Sequence, residues 1–192
     1  LNLGIKGFFD NICHKWISDN YPISNKYKHI LNSWLMSGVM VIDKVFETTN
    51  VGVSQSGIIS PTISNFVLDG LEECINNSIR PITTSKTRTK EYYDTKSGIP
   101  VVKRFNIQFI RYADDFVITC RSMYIAKTYI KPAIIDFLKE RGVWLSEEKS
   151  SIFRLSDKNL DFLGYTFIYS SAWKPGGIFR GKTGLPGIAL IP

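Results

Sequence analysis

The sequence predicts an α+β fold, a small antiparallel sheet with helices packed on one face. Two apolar runs, 105–111 and 116–120, are separated only by Tyr112-Ala113-Asp114-Asp115, a spacing that closes as a hairpin. Helical and extended patterns come in mixed order, unlike the regular alternation of a doubly wound sheet. The 192 residues, 44% of them hydrophobic, can bury one sizeable core or at most two small ones.

The elements follow in order. Residues 1–9 read as a strand ending in an aromatic pair, and 10–19 as a helix stopped by Tyr21-Pro22. A second helix, 24–36, spaces Tyr27, Ile30, Leu31, Trp34 and Leu35 helically. Residues 39–53 alternate well enough for two short strands turning at Thr48-Thr49-Asn50. Ser60-Pro61 opens a helix over 61–79, with Ile63, Phe66, Val67, Leu71 and Ile75 on one side. After the hairpin, 123–141 is an amphipathic helix interrupted near Pro132 and closed by Arg141-Gly142. Short strands are expected near 150–155 and 161–169. The last 20 residues hold five of the 14 glycines and three of the eight prolines, so a long helix there is excluded. Residues 1–169 thus form one domain, and 170–192 a turn-rich tail.

Composition narrows the function. No apolar run approaches the ~20 residues that cross a bilayer, and Leu1 to Lys6 has neither the basic nor the apolar region of a secretory signal, so no membrane partner and no secretion are expected. Cys13, Cys74 and Cys120 form no C-x-x-C pair and read as buried apolar residues in a reducing compartment. With only His14 and His29 besides, no zinc-ligand spacing is present. The formal charge of +7 favours an anionic partner, nucleic acid being the commonest. Residues 80–104 supply most of it: Arg80, Lys86, Arg88, Lys90, Lys96, Lys103 and Arg104 stand against Glu91 and Asp94, a net +5. That insertion is either a solvated surface loop or a phosphate-contacting one, with Lys86, Arg88, Lys90, Lys103 and Arg104 as the RNA-binding candidates.

Three segments carry chemistry. Adjacent carboxylates Asp114 and Asp115 repel one another and need solvent or a cation. Between buried strands they suit Mg²⁺, which takes oxygen ligands and leaves room for phosphate oxygens; alone, the pair also fits a solvated turn. Gly52 to Pro61 brings small and polar residues into a helix start, which offers N–H groups to an anion. Phe8-Phe9-Asp10-Asn11-Ile12 follows a strand and also fits aromatic core with a helix cap.

In this order the segments resemble the palm of a reverse transcriptase of the group II intron maturase family. Ile5-Lys6-Gly7-Phe8-Phe9-Asp10-Asn11-Ile12 with His14 resembles its first palm motif. Gly52 through Pro61, with Asn65, is similar to the template- and nucleotide-contacting motif, and Arg111-Tyr112-Ala113-Asp114-Asp115-Phe116 to the catalytic hairpin. Leu145 through Ser150 resembles the lysine motif, and Phe162-Leu163-Gly164-Tyr165 the primer grip. The resemblance implies that Asp114 and Asp115 ligate Mg²⁺ and that Phe9 screens the sugar 2′ group. It implies that Gln55, Gly57 and Tyr112 line the nucleotide and template pocket, that Lys149 lies near the triphosphate, and that Phe162, Leu163 and Gly164 touch the primer. Phe9 and Phe162 also fit core, and Lys149 a surface position.

The departures carry as much. The family's first motif opens with an aspartate one residue before Ile-Lys-Gly; here that residue is Gly4. Ser54 stands where the family usually has proline. Two-ion chemistry draws carboxylates from separate strands, and glycine offers none. Asp10, six residues on, would lie ~20 Å away along an extended strand. Mg²⁺ is therefore expected to bind weakly or not at all, and unaided polymerisation to be lost. The expected role is RNA binding, to an intron or ribosomal RNA, in splicing or a ribonucleoprotein. The alternatives are one piece of a split active polymerase, with a separate chain carrying fingers or thumb, and a protein-interaction scaffold. The start inside a strand likewise suggests a piece of something larger, and the tail leads towards a missing thumb. The 25 isoleucines and 11 asparagines fit an AT-rich coding genome, favouring an organelle, mitochondrion or chloroplast, over a bacterial cytoplasm.

Overall fold

The computed structural model describes residues 1–37, 51–54, 57–84, 92–93, 100–101, 107–120, 122–170 and 187–191. The strands expected within 39–53 lie, up to residue 50, outside the described residues, as do Gln55, Lys86, Arg88, Lys90, Lys103 and Arg104.

Strand β1 (Asn2–Lys6) lies inside a four-stranded antiparallel sheet ordered β4-β5-β1-β6, where β4 is Gln108–Tyr112, β5 Asp115–Thr119 and β6 Trp144–Leu145. β4 and β5 are the expected hairpin, in register from Gln108 opposite Thr119 to Tyr112 opposite Asp115. β1 pairs with β5 on one side, Gly4 opposite Asp115, and with β6 on the other, Lys6 opposite Trp144. Side chains alternate across a sheet, so Leu3, Ile5, Phe116 and Ile118 share one face, and all four are buried. Lys6, Asp115, Tyr112 and Trp144 belong to the other face.

The helices cover the first face. They are α1 (Phe8–Asn11), α2 (His14–Asn20), α3 (Lys28–Met36), α4 (Ser60–Val67), α5 (Leu71–Thr84), the single turn α6 (Met123–Ile125) and α7 (Lys131–Glu140). Leu31, Ile63, Val67, Leu71, Ile75, Ile134 and Leu138 join the strand residues in one continuous core. At about 25 cal/mol per Å² of apolar area, that burial is the main force holding helices to sheet.

Several element boundaries differ from expectation, each for a local reason. β1 ends at Lys6 because Gly7 takes a left-handed conformation (φ 49°) and turns the chain into α1. The expected 10–19 helix is two pieces, broken at Ile12 and Cys13, both with extended ψ. The expected 61–79 helix breaks after Val67: Leu68 caps α4, and Gly70 (φ 81°) turns the chain into α5. Before α7 the chain forms a π-turn over Ala126–Ile130, leading into Lys131-Pro132. Proline has no N–H to bond and clashes with the carbonyl one turn back, which a widened turn accommodates. Near 150–155 only Ser151 pairs, as a single bridge to Asn2.

Residues 161–169 form a second hairpin about Leu163-Gly164, β7 (Leu160–Phe162) and β8 (Tyr165–Ser170), which β9 (Gly187–Ile191) extends into a three-stranded sheet. The end of the tail therefore returns to pair with β8. Within the basic insertion, β2 (Tyr92–Tyr93) pairs with β3 (Pro100–Val101).

Candidate active site and nucleic-acid interface

The site grows from the β4–β5 turn. Tyr112 pairs with Asp115, which leaves a two-residue loop, Ala113-Asp114. Ala113 sits at φ 52°. A positive φ at the first loop position alone is a II′ pattern that normally takes glycine, so the alanine stores strain beside the acidic pair. Arg111 steadies the turn: its Nη1 donates to the carbonyl of Ala113 at 3.1 Å and to Oδ1 of Asn65 on α4 at 3.2 Å. Asp114 is half-buried and Asp115 exposed. Tyr112, 64% exposed, is on the same face as Asp115.

β1 places Gly4 directly across from Asp115. A Cβ built on Gly4 would stand 3.1 Å from Asp115 Oδ1, 3.1 Å from Lys149 Cβ and 3.2 Å from Lys149 Cδ. The direction a side chain would take at position 4 thus runs between the hairpin acid and the lysine. Lys149 is held there by the turn after β6. Ser146 N donates to the Gly4 carbonyl at 2.8 Å, Ser150 Oγ donates to the same oxygen at 3.4 Å, and Lys149 N donates to Ser146 Oγ at 3.3 Å. Ser146 is buried. Asp114 and Asp115 are the carboxylates here that could hold Mg²⁺, and among the described residues no three His, Cys, Asp or Glu side chains gather at one point.

Asp10 lies in α1, not along an extended strand, so the ~20 Å separation does not apply. One of its carboxylate oxygens would stand 3.3 Å from a Cβ on Gly7, past the turn that carries the chain off the sheet. Phe8 is buried; Phe9 is half-buried and packs edge-on against it, ring centres 5.3 Å apart.

The template-motif segment docks onto this turn. Val53 N donates to the Phe9 carbonyl at 2.6 Å and Gly52 N to the Ile12 carbonyl at 2.9 Å. His14 Nε2–H donates to the Gly52 carbonyl. Gly52 (φ 85°) has the Asp10 carbonyl oxygen 2.6 Å from where a Cβ would be, so only glycine fits. Gly57 is less confined: its Cβ position is 2.6 Å from Ser60 Oγ, a side-chain atom that can rotate away. Phe9 and Gly52–Val53 are therefore neighbours.

Phe162, Leu163 and Gly164 form the turn of the second sheet, away from the β1–β5 pairing. Leu163 (φ 53°) and Gly164 (φ 78°) make a tight turn, and Leu163 is half exposed. The reading from sequence assigned no role to Ser146, Ser150 or Arg111. Each acts by a long-range hydrogen bond, to which the only local pointer was membership of a quoted motif.

Away from the site, Arg141 lies between two rings, its guanidinium carbon 3.4 Å from the centre of Phe137 and 4.4 Å from that of Trp16. Burial pulls its pKa below the ordinary guanidinium value, partly offset by Glu140. Burial likewise pushes the Cys74 thiol up, with a smaller opposing pull from Arg141.

A central antiparallel pair carrying an acidic turn, flanked by helices and a lysine turn, is the architecture of a polymerase palm. The profile of the family described as reverse transcriptase (RNA-dependent DNA polymerase) matches residues 1–167, and the chain belongs to that family. Within it, the chain is similar to group II intron-encoded proteins. It is 25% identical over 201 residues to the group II intron-encoded protein LtrA of Lactococcus lactis subsp. cremoris, covering 84% of this chain and 33% of that protein. It is 26% identical over 192 residues to the COX1/OXI3 intron 2 protein of Saccharomyces cerevisiae, covering 82% of this chain and 22% of that protein. The yeast COX1/OXI3 intron 1 protein is 26% identical over 201 residues, at 86% and 23%. The chain thus spans a third or less of the length of these relatives. No described helix is long and apolar enough to cross a membrane.

Proposed function

We propose that this chain is an RNA-binding member of the family that has lost polymerisation and serves group II intron splicing or a structural place in a ribonucleoprotein. One observation carries the reading. The strand facing Asp115 presents Gly4, so the donor set is two carboxylates from a single hairpin. In-line displacement by a two-ion clamp needs ligands bridging both ions, and this set does not fit that requirement. RNA affinity needs only cations, stacking surfaces and shape, none of which depends on position 4. The RNA is an intron or a ribosomal RNA. The similarity to yeast COX1/OXI3 intron proteins and the AT-rich residue usage favour an organelle.

A second reading has its own support. The acidic turn Asp114-Asp115 and Lys149 beside position 4 are kept, as in one piece of an active polymerase completed by a chain carrying fingers or thumb. Primer extension on an RNA template with Mg²⁺ separates the two. The first reading expects no synthesis with or without added family fragments, alongside retained RNA binding. Templated synthesis by the unaltered chain once a fingers or thumb fragment is supplied would establish the second.

A further inference from the structure

We propose that the outer edge of β4 pairs with a second copy of this chain, the two edges antiparallel about a two-fold axis through Ile110, giving a weak, closed dimer. This self-pairing is independent of whether the chain polymerises.

β4 is the outermost strand of its sheet, and among the described residues nothing pairs with its outer side. Bonding along an antiparallel strand alternates between its two neighbours. Ile118 N donates to the Leu1 carbonyl at 2.9 Å, so Phe116 and Ile118 bond towards β1, and Asp115, Val117 and Thr119 towards β4. Their partners Tyr112, Ile110 and Gln108 are thereby used, and the N–H and C=O groups of Phe109 and Arg111 face outward. No described residue bonds to them there. The strand also lacks the devices that guard an edge. Its sequence, Gln108-Phe109-Ile110-Arg111-Tyr112, contains no proline and no lysine. Its one charge, Arg111, shares the covered face with Phe116 and is bonded to Asn65 and to the Ala113 carbonyl. On the open face Ile110 is 52% and Tyr112 64% exposed.

The strand's own pattern selects a copy of itself as the occupant. With Ile110 on the axis, Phe109 meets the copy's Arg111 and Arg111 the copy's Phe109, so every outward N–H and C=O on both strands is satisfied. The two Ile110 side chains face each other as a non-bonded pair, Cα atoms ~4.5 Å apart. Gln108 lies opposite the copy's Tyr112, so the remaining exposed side chains of the strand are matched as well. Charge sets the direction. Antiparallel pairing puts the two Tyr112 residues four positions apart, about 14 Å, with the acidic turns beyond them and outside the ~8 Å screening length. Parallel pairing would bring Asp114 and Asp115 of both chains together. Once paired, the edge is consumed and the assembly closes at two. Five paired residues fall well short of the ~800 Å² per partner of a standard interface, so the dimer is weak, with a Kd on the order of 100 μM.

The test is sedimentation equilibrium of the unaltered chain from about 10 μM to about 1 mM, where a monomer–dimer equilibrium is expected. Ile110→Lys sets two ammonium groups against each other on the axis and should weaken the dimer at least about tenfold. Cross-linking then fixes the register without relying on that variant. Ile110→Cys should form an intermolecular disulfide on mild oxidation, since ~4.5 Å between Cα atoms is within disulfide reach. Gln108→Cys alone should form none, its two copies being about 14 Å apart, but should cross-link when mixed with Tyr112→Cys. The unaltered chain, with Cys13, Cys74 and Cys120 free, gives the background. A chain that stays monomeric at about 1 mM overturns the inference. So does a dimer untouched by Ile110→Lys, open-ended aggregation in place of a dimer, a missing Ile110→Cys disulfide, or cross-linking of Gln108→Cys by itself.

Discussion

Gly4 shows how much one side chain decides. Because its Cβ position is 3.1 Å from both Asp115 Oδ1 and Lys149 Cβ, any side chain there must push on neighbours. Gly4→Asp is expected to cost about 1–3 kcal/mol in metal-free buffer through overpacking and like-charge repulsion. Gly4→Ala meets only the steric part, and Mg²⁺ should narrow the gap between the two; urea melts with and without the ion measure it. Cys74 gives a pH dependence. Its thiol donates to the Ala133 carbonyl at 3.7 Å, and burial raises its folded pKa above the unfolded value. The protonated form is thus favoured by folding: the stabilisation is whole below the ordinary thiol range and is lost as pH climbs through the folded pKa. Cys74→Ala should therefore show a flatter stability profile above about pH 8.5, seen in melts of both proteins across that range.

At the scale of elements, the two tight hairpins each carry a non-glycine residue at positive φ, Ala113 and Leu163. The Leu163-Gly164 turn has positive φ at both loop positions, the type I′ pattern that prefers Asn-Gly. Leu163→Asn is expected to raise stability by about 1 kcal/mol, measured as an upward shift of the urea midpoint. A loss of RNA contact in the same variant would mark Leu163 as retained for binding. The Tyr112–Asp115 hairpin could be read in the sequence because apolar runs, turn and charges are contiguous there. The helix breaks divide: Pro132 marks the interruption in 123–141, where the π-turn lies, whereas the break after Val67, through Asp69-Gly70, falls inside an unbroken apolar period. β6 is two residues long, too short for any period. Its pairing, which puts Trp144 opposite Lys6, is visible only once β1 is seen between two partners.

For the whole molecule, a single core joins the first helices to the last, and Arg141 pins the two ends of that arrangement. Its guanidinium stacks on Phe137 of α7 and Trp16 of α2, while its carbonyl accepts from Cys13 N at 3.0 Å. Arg141→Ala is expected to cost about 2 kcal/mol. Arg141→Lys should recover little, since an ammonium cannot lie flat between rings; chemical denaturation of the three proteins tests this. The overall architecture was foreseeable because the motifs come in a fixed order. Their distances were not, because β1 sets them by pairing with segments more than a hundred residues downstream. That same pairing sets the terms on which position 4 can be refilled. An aspartate there meets the stem of Lys149 and the carboxylate of Asp115 at once, so the lysine must give by a few tenths of an ångström for an acid to fit.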